Sequence, residues 1–164
     1  MKRSAWFHWL LAIYLWLITC IPLGNWNRQH DRTLFETLAR GGKLDVGDVI
    51  FLALVVLPAI LFWVGYQKRN LWFAIVALVL DAVWLVLQIQ SWWIPYIFVT
   101  DVSWQLAYAK GRTTKVLPSF GNHVAPDGMH FVISVLIVAA MITGIVGLRQ
   151  MKQRRAESPI AQQP

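Results

Sequence analysis

Long apolar runs separated by polar connections dominate the chain. Four of them, at about Trp6–Gly24, Asp48–Tyr66, Leu71–Trp93 and Gly128–Leu148, are close to the roughly 20 residues that a helix needs to cross a ~30 Å hydrocarbon layer. None of the runs alternates as a half-buried strand does, and none carries the wide polar face of a soluble amphipathic helix. The third run differs from the others. Between Leu71 and Tyr96 it reads LWFAIVALVLDAVWLVLQIQSWWIPY, with Asp81, Gln88 and Gln90 set among apolar residues. At helical periodicity Asp81 and Gln88 fall on nearly the same side, with Trp84, Leu85 and Trp92 on that stripe, while Gln90 points elsewhere. Asp81 is ten residues past Leu71, ~15 Å into the helix and near a bilayer midplane. A carboxyl group at that depth costs ~2.5–3.5 kcal/mol on insertion scales, so the stripe is expected to face protein.

The connections also carry pattern. Thr33-Leu34-Phe35-Glu36 is a capping box and Gly41-Gly42 a stop, which predicts a short helix over Thr33–Arg40. Asp45 and Asp48 suit the start of the second long helix, and Pro58 predicts a bend within it. Phe98, Val102 and Leu106, flanked by Trp104 and Tyr108, predict an interfacial amphipathic helix after the third run. The order Trp93-x-Pro95…Phe98…Trp104…Tyr108 superficially resembles the tryptophan-rich sensory proteins. Those proteins have five spans and carry the motif nearer the N-terminus, so no family is assigned. In the fourth run, Ala140 precedes Gly144, and Thr143 precedes Gly147, by four residues, a spacing that lets helices approach closely. The fold expected is an all-α integral membrane protein, four transmembrane helices in one bundle spanning residues 1–156, with a disordered tail at 157–164.

Composition agrees with that class. Of the 164 residues, 57% are hydrophobic and 14% charged, and mean hydropathy is +0.51, too little polar surface for a soluble domain. The net charge of +7 is concentrated against the run ends, at Lys2 and Arg3, Lys68 and Arg69, and Arg149, Lys152, Arg154 and Arg155. The positive-inside bias then puts both termini and the tight second connection in the cytoplasm, with Asn25–Gly47 and Ile94–Asp127 outside. A plasma membrane, in a bacterium the inner one, is the expected location. The basic tail suits anionic lipid head groups. No basic, aromatic-interleaved soluble surface points to nucleic acid. The single cysteine, Cys20, excludes an internal disulfide.

Two groups of residues carry candidate chemistry. Asp81, Trp84, Gln88 and Trp92 would line an outward-facing intramembrane pocket for a small lipophilic or cationic ligand, Asp81 acting as counter-charge or proton carrier. The alternative for the same stripe is an interhelical hydrogen-bond clamp. The second group lies in Gly121–His130, where His123, Asp127 and His130 could converge as an acid–base set or as metal ligands. The competing assignment has Asp127 capping the fourth long helix, with His130 in its first turn. The spacing matches no strong metal motif, and neither a metal nor a cofactor is expected. His8, two residues into the first run, is assigned to the inner interface beside head groups, far from His130, which excludes a bis-histidine haem between them. Three functions stay open: a ligand-binding or transport protein, a membrane-embedded enzyme acting on a lipid-linked substrate through His123, Asp127 and His130, and a structural or regulatory subunit that binds another membrane protein.

Overall fold

The computed structural model describes residues 2–26, 34–43, 45–98, 114–118, 120–121, 123 and 125–157, and among these the ordered elements are helical. The first helix, α1, runs Lys2–Cys20. It starts earlier than its apolar run and stops before Pro22, since a residue ahead of proline is pushed out of the helical region. Gly24, at φ +61°, then turns the chain into a short 3-10 segment, Gly24–Trp26. Ala5, His8, Leu11, Ala12, Leu15 and Ile18 form one buried stripe along α1, while Trp6, Leu10, Ile13 and Leu17 stay exposed on the other side.

The short helix predicted in the first connection is present as α2, Leu34–Ala39, and Gly41 ends it at φ +75°. Helix α3, Val46–Gln67, opens with a reciprocal cap: Asp48 N–H donates to Asp45 Oδ1 at 2.8 Å and Asp45 N–H to Asp48 Oδ2 at 3.1 Å. The capping role expected of both carboxylates is therefore observed. Pro58 is buried inside α3. Lys68–Asn70 make a tight turn into α4, Leu71–Gln88, whose first turn is capped by the Asn70 side chain accepting from Trp72 N–H at 3.0 Å.

Beyond Gln88 the helix continues as one π-helical turn, Ile89–Trp93, and then as α5, Ile94–Phe98. Pro95 supplies the cause. Its ring has no N–H and would collide with the carbonyl four residues back, and widening the preceding turn relieves both problems. The amphipathic helix predicted around Phe98, Val102 and Leu106 lies, past Phe98, outside the described residues, as does the segment 158–164. The last helix, α6, covers Gly128–Glu157, nine residues past the apolar run that ended at Leu148.

Among the described residues, three helical stretches are long and apolar enough to cross a membrane: Val46–Gln67, Leu71–Phe98 and Gly128–Arg154; the apolar part of α1, Ala5–Cys20, is shorter. Helix α1 packs on α3 and α6, and α4 packs on the same two. Large apolar side chains such as Leu54, Val79, Val83, Val86 and Ile142 face outward. A soluble monomer rarely exposes so much contiguous apolar surface, and lipid is the solvent that accommodates it. Inside are two apolar clusters. One is built on Leu11, Leu15, Val55, Ile133 and Ile137, the other on Ala5, Phe62, Ala74, Ala77 and Met151.

The α3–α4 hairpin is closed at Gly65, where an added Cβ would come within 2.9 Å of Ala74 N and 3.0 Å of Asn70 O. Backbone atoms cannot swing aside as side chains do. Gly65→Ala is expected to destabilise the protein by about 1–3 kcal/mol, the usual cost of overpacking. A thermal melt in detergent micelles checks this, and an unchanged midpoint would show that the hairpin is looser than described.

Candidate functional site

The central feature of the interior is a pair the sequence did not suggest. His8 Nε2 of α1 lies 3.0 Å from Asp81 Oδ2 of α4, and both side chains are 1% exposed. The assignment of His8 to the interface is thus corrected. Helix α1 begins at Lys2 and carries the ring about six residues, ~9 Å, inward. Ala5 and Ala12 flank His8 on the buried stripe, so α1 can approach its neighbours closely at this level. The imidazole stacks on Phe62 of α3, with ring centroids 4.2 Å apart and 12° between planes. At the edge of the two stacked rings stands Gly144 of α6, where an added Cβ would lie 3.1 Å from His8 Cε1, 3.3 Å from Phe62 Cε2 and 2.6 Å from Leu78 Cδ2. All four long helices therefore meet at the pair.

By residue count along α1, α3 and α6 the pair is ~7–9 Å from the end of the protein that carries Lys68, Arg69 and Arg149, and along α4 it is ~15 Å past Leu71, as the sequence implied. The contact is at ion-pair distance, but its angles fall outside hydrogen-bond geometry, and neither Asp81 oxygen has a hydrogen bond among the described residues. Two bare lone pairs held 3.0 Å apart without water would repel each other. A proton on either group relieves that repulsion, giving imidazolium–carboxylate or imidazole–carboxylic acid.

The rest of the α4 stripe is buried as its periodicity implied. Gln88 is 9% exposed and its Oε1 has no hydrogen-bond partner among the described residues. Trp84 is half-buried against the Leu11–Ile137 cluster and meets Phe51 edge-on at 6.3 Å. Trp92 is buried in the π-helical turn and stacks on His130 of α6 at 3.8 Å. Asp81, Trp84, Gln88 and Trp92 line neither of two shallow apolar grooves, one of about 320 Å³ on the outer surface of α4 and one of about 350 Å³ between α4 with its π-helical turn and α6.

At the opposite, aromatic end, Asp127 does what a cap residue does. Its Oδ1 accepts from the His130 backbone N–H at 2.9 Å and lies 2.8 Å from His130 Nδ1. Its Oδ2 is buried without a hydrogen-bond partner among the described residues. His123 is held elsewhere, its Nδ1 2.7 Å from the Tyr96 carbonyl. Among the described residues, no three His, Cys, Asp or Glu side chains are grouped so as to hold a metal ion. Further bonds tie this end together. Trp93 Nε1 donates to Ser134 Oγ at 3.0 Å, Tyr96 Oη to the Pro118 carbonyl at 3.0 Å, and Trp26 Nε1 to Tyr14 Oη at 2.8 Å.

Sequence reasoning thus found Asp81 and the close approach at Gly144, and missed His8 and Phe62. A signal was available: Ala5, His8 and Ala12 repeat at helical spacing, and small residues around a histidine mark a face of close approach rather than an interface with lipid. No family model matches the chain, and no curated protein or solved structure matches it either.

Removing one member of a buried pair strands the other. His8→Leu and Asp81→Leu are each expected to cost about 3–5 kcal/mol, whereas the double variant His8→Leu/Asp81→Leu should lose far less than their sum. Unfolding titrations of the four proteins in mixed micelles measure the coupling. Strictly additive losses would mean that the contact contributes nothing.

Proposed function

We propose that this is a four-helix transmembrane protein with both termini on the cytoplasmic side of a plasma membrane, and that it binds or moves a small lipophilic or cationic ligand in exchange for a proton held by His8 and Asp81. The observation that carries this reading is the sealed His8–Asp81 contact. A carboxyl and an imidazole retained in the interior, where an apolar pair would be cheaper, are groups kept for their charge chemistry. The orientation rests on the basic residues at one end, Lys68, Arg69, Arg149, Lys152 and Arg154. Asp81 would accept the cation's charge once the shared proton leaves, with Gln88, Trp84 and Trp92 on the same stripe forming the path or the wall. In the conformation described the stripe is closed, so loading requires the helices to part.

The Asp127–His130 contact at 2.8 Å favours a second reading, an enzyme acting at the aromatic end on a lipid-linked substrate. It is the weaker one, because Asp127 is engaged in capping α6 and His123 on the Tyr96 carbonyl.

Binding of tetraphenylphosphonium, a lipophilic cation, to the purified protein tests the first reading. A proton and a cation that compete for Asp81 make binding tighten as pH rises. In Asp81→Asn that pH dependence should vanish and affinity fall. The same pH profile in the variant and the wild type would remove Asp81 from the function.

A further inference from the structure

We infer that the His8–Asp81 pair exchanges its proton with the aromatic end of the protein, along a polar seam between α4 and α6 that passes Gln88, although the basic end is nearer. This rests on the reading of the pair as a proton carrier.

The distribution of buried polarity gives the direction. Among the described residues the buried polar side chains are His8, Asp81, Gln88, Ser134 and Asp127. Each lies at the level of the pair or on its aromatic side. On the basic side, beyond Phe62, the fully buried residues are Ala5, Ala74, Ala77 and Met151, with the half-buried Tyr66 hydroxyl the one polar side-chain group described in that cluster. The short way out therefore offers a single hydroxyl near the rim, against Gln88, Ser134 and Asp127 buried on the other side.

The long way has stations. Gln88 lies seven residues, ~10 Å, beyond Asp81 along α4, and Trp92 one further turn, ~6 Å, beyond that. Trp92 rests on His130, which in turn touches Asp127. Gln88 Oε1 and Asp127 Oδ2 are buried oxygens without a hydrogen-bond partner among the described residues. Native proteins keep few such groups, and those they keep are usually visited by water or have a chemical task. Both atoms are acceptors, so the visitor must bring donors, and water or hydronium is the smallest species that does.

Leu15, Ile133 and Ile137 pack in the layer between the pair and the aromatic end, so passage is intermittent. On the α4 side of the seam the regular helix gives way to the π-helical turn, and neighbouring α3 carries Pro58, which removes a backbone hydrogen bond, so these are the places where the bundle opens most readily. In one exchange the proton held by the pair passes to water, is carried by water that Gln88 Oε1 orients to the His130–Asp127 pair, and is replaced by another travelling inward. Only N–H and O–H bonds are broken and made, and charge is conserved.

The test is infrared-detected hydrogen–deuterium exchange of the full-length protein in lipid vesicles after transfer to D₂O. The shared-proton band is assigned by its loss in Asp81→Asn, and its survival there would overturn the proton-carrier reading itself. Gln88→Met, nearly the same size but without the acceptor, is expected to slow exchange of that band on the order of tenfold, the factor that losing one hydrogen-bonding station implies. Gln88→Glu, which restores an acceptor, should return it to the wild-type rate or faster. Exchange in Gln88→Met as fast as in the wild type, or exchange in Gln88→Glu as slow as the slowed variant, would overturn the seam while leaving Asp81 as a carrier reached from the basic end.

Discussion

A carboxyl group inside an apolar protein must be neutralised, paired or hydrated, and the cost of failing to do so is large compared with the net stability of a domain. Asp81 meets that demand through His8, and most of the interior follows from the meeting. The imidazole must stand at the height of Asp81, which sets how far α1 slides along its neighbours. Phe62 provides a flat wall for the ring, and Gly144 leaves the space in which it fits. Helices α1, α3, α4 and α6 are therefore locked in register by one contact rather than by apolar packing alone. Packing among Leu, Ile and Val is tolerant of small sliding motions, whereas an ion pair in a low-dielectric interior is not.

The two ends of the molecule are held in different ways. The aromatic end is bound by directional polar contacts between residues far apart in sequence: Tyr14 with Trp26 and Met129, Trp93 with Ser134, Tyr96 with Pro118, and His123 with Tyr96. The basic end relies on the Ala-rich cluster around Phe62 and on the close turn at Gly65. Hydrogen bonds specify one arrangement of the groups that make them, and small apolar contacts permit several. The Trp92–His130 stack and the Asp127 cap therefore define the geometry of the end where the second buried carboxylate lies.

Much of the helical layout was legible in the sequence because its causes are local. Run length gave α3, α4 and α6, Asp45 and Asp48 the cap, and Thr33 to Gly42 the position of α2. Asp81, Gln88 and Trp92 were placed on an inward face by spacing alone, and burial agrees. What could not be read was which partner each would meet. His8 was measured from the start of its apolar run, yet the helix begins at Lys2, and depth in a bundle depends on the offset between helices, which no single segment encodes. The π-helical turn was missed for a related reason: Pro95 announces an irregularity without saying whether the chain ends, kinks or widens there. The cluster of His123, Asp127 and His130 was drawn too large, since proximity in sequence near a turn does not make three side chains converge.

The partners in the His8–Asp81 contact are the first long helix and the third, separated by the whole of α3 and its connections. During synthesis α1 emerges long before Asp81 exists. Its apolar part, Ala5–Cys20, is shorter than the apolar stretches of α3, α4 and α6, and it carries a histidine that hydrocarbon does not welcome. On its own it is the segment least able to remain in a bilayer. The group that meets its histidine in the folded protein arrives only with α4, so α1 is the first long helix made and among the last to find its partner.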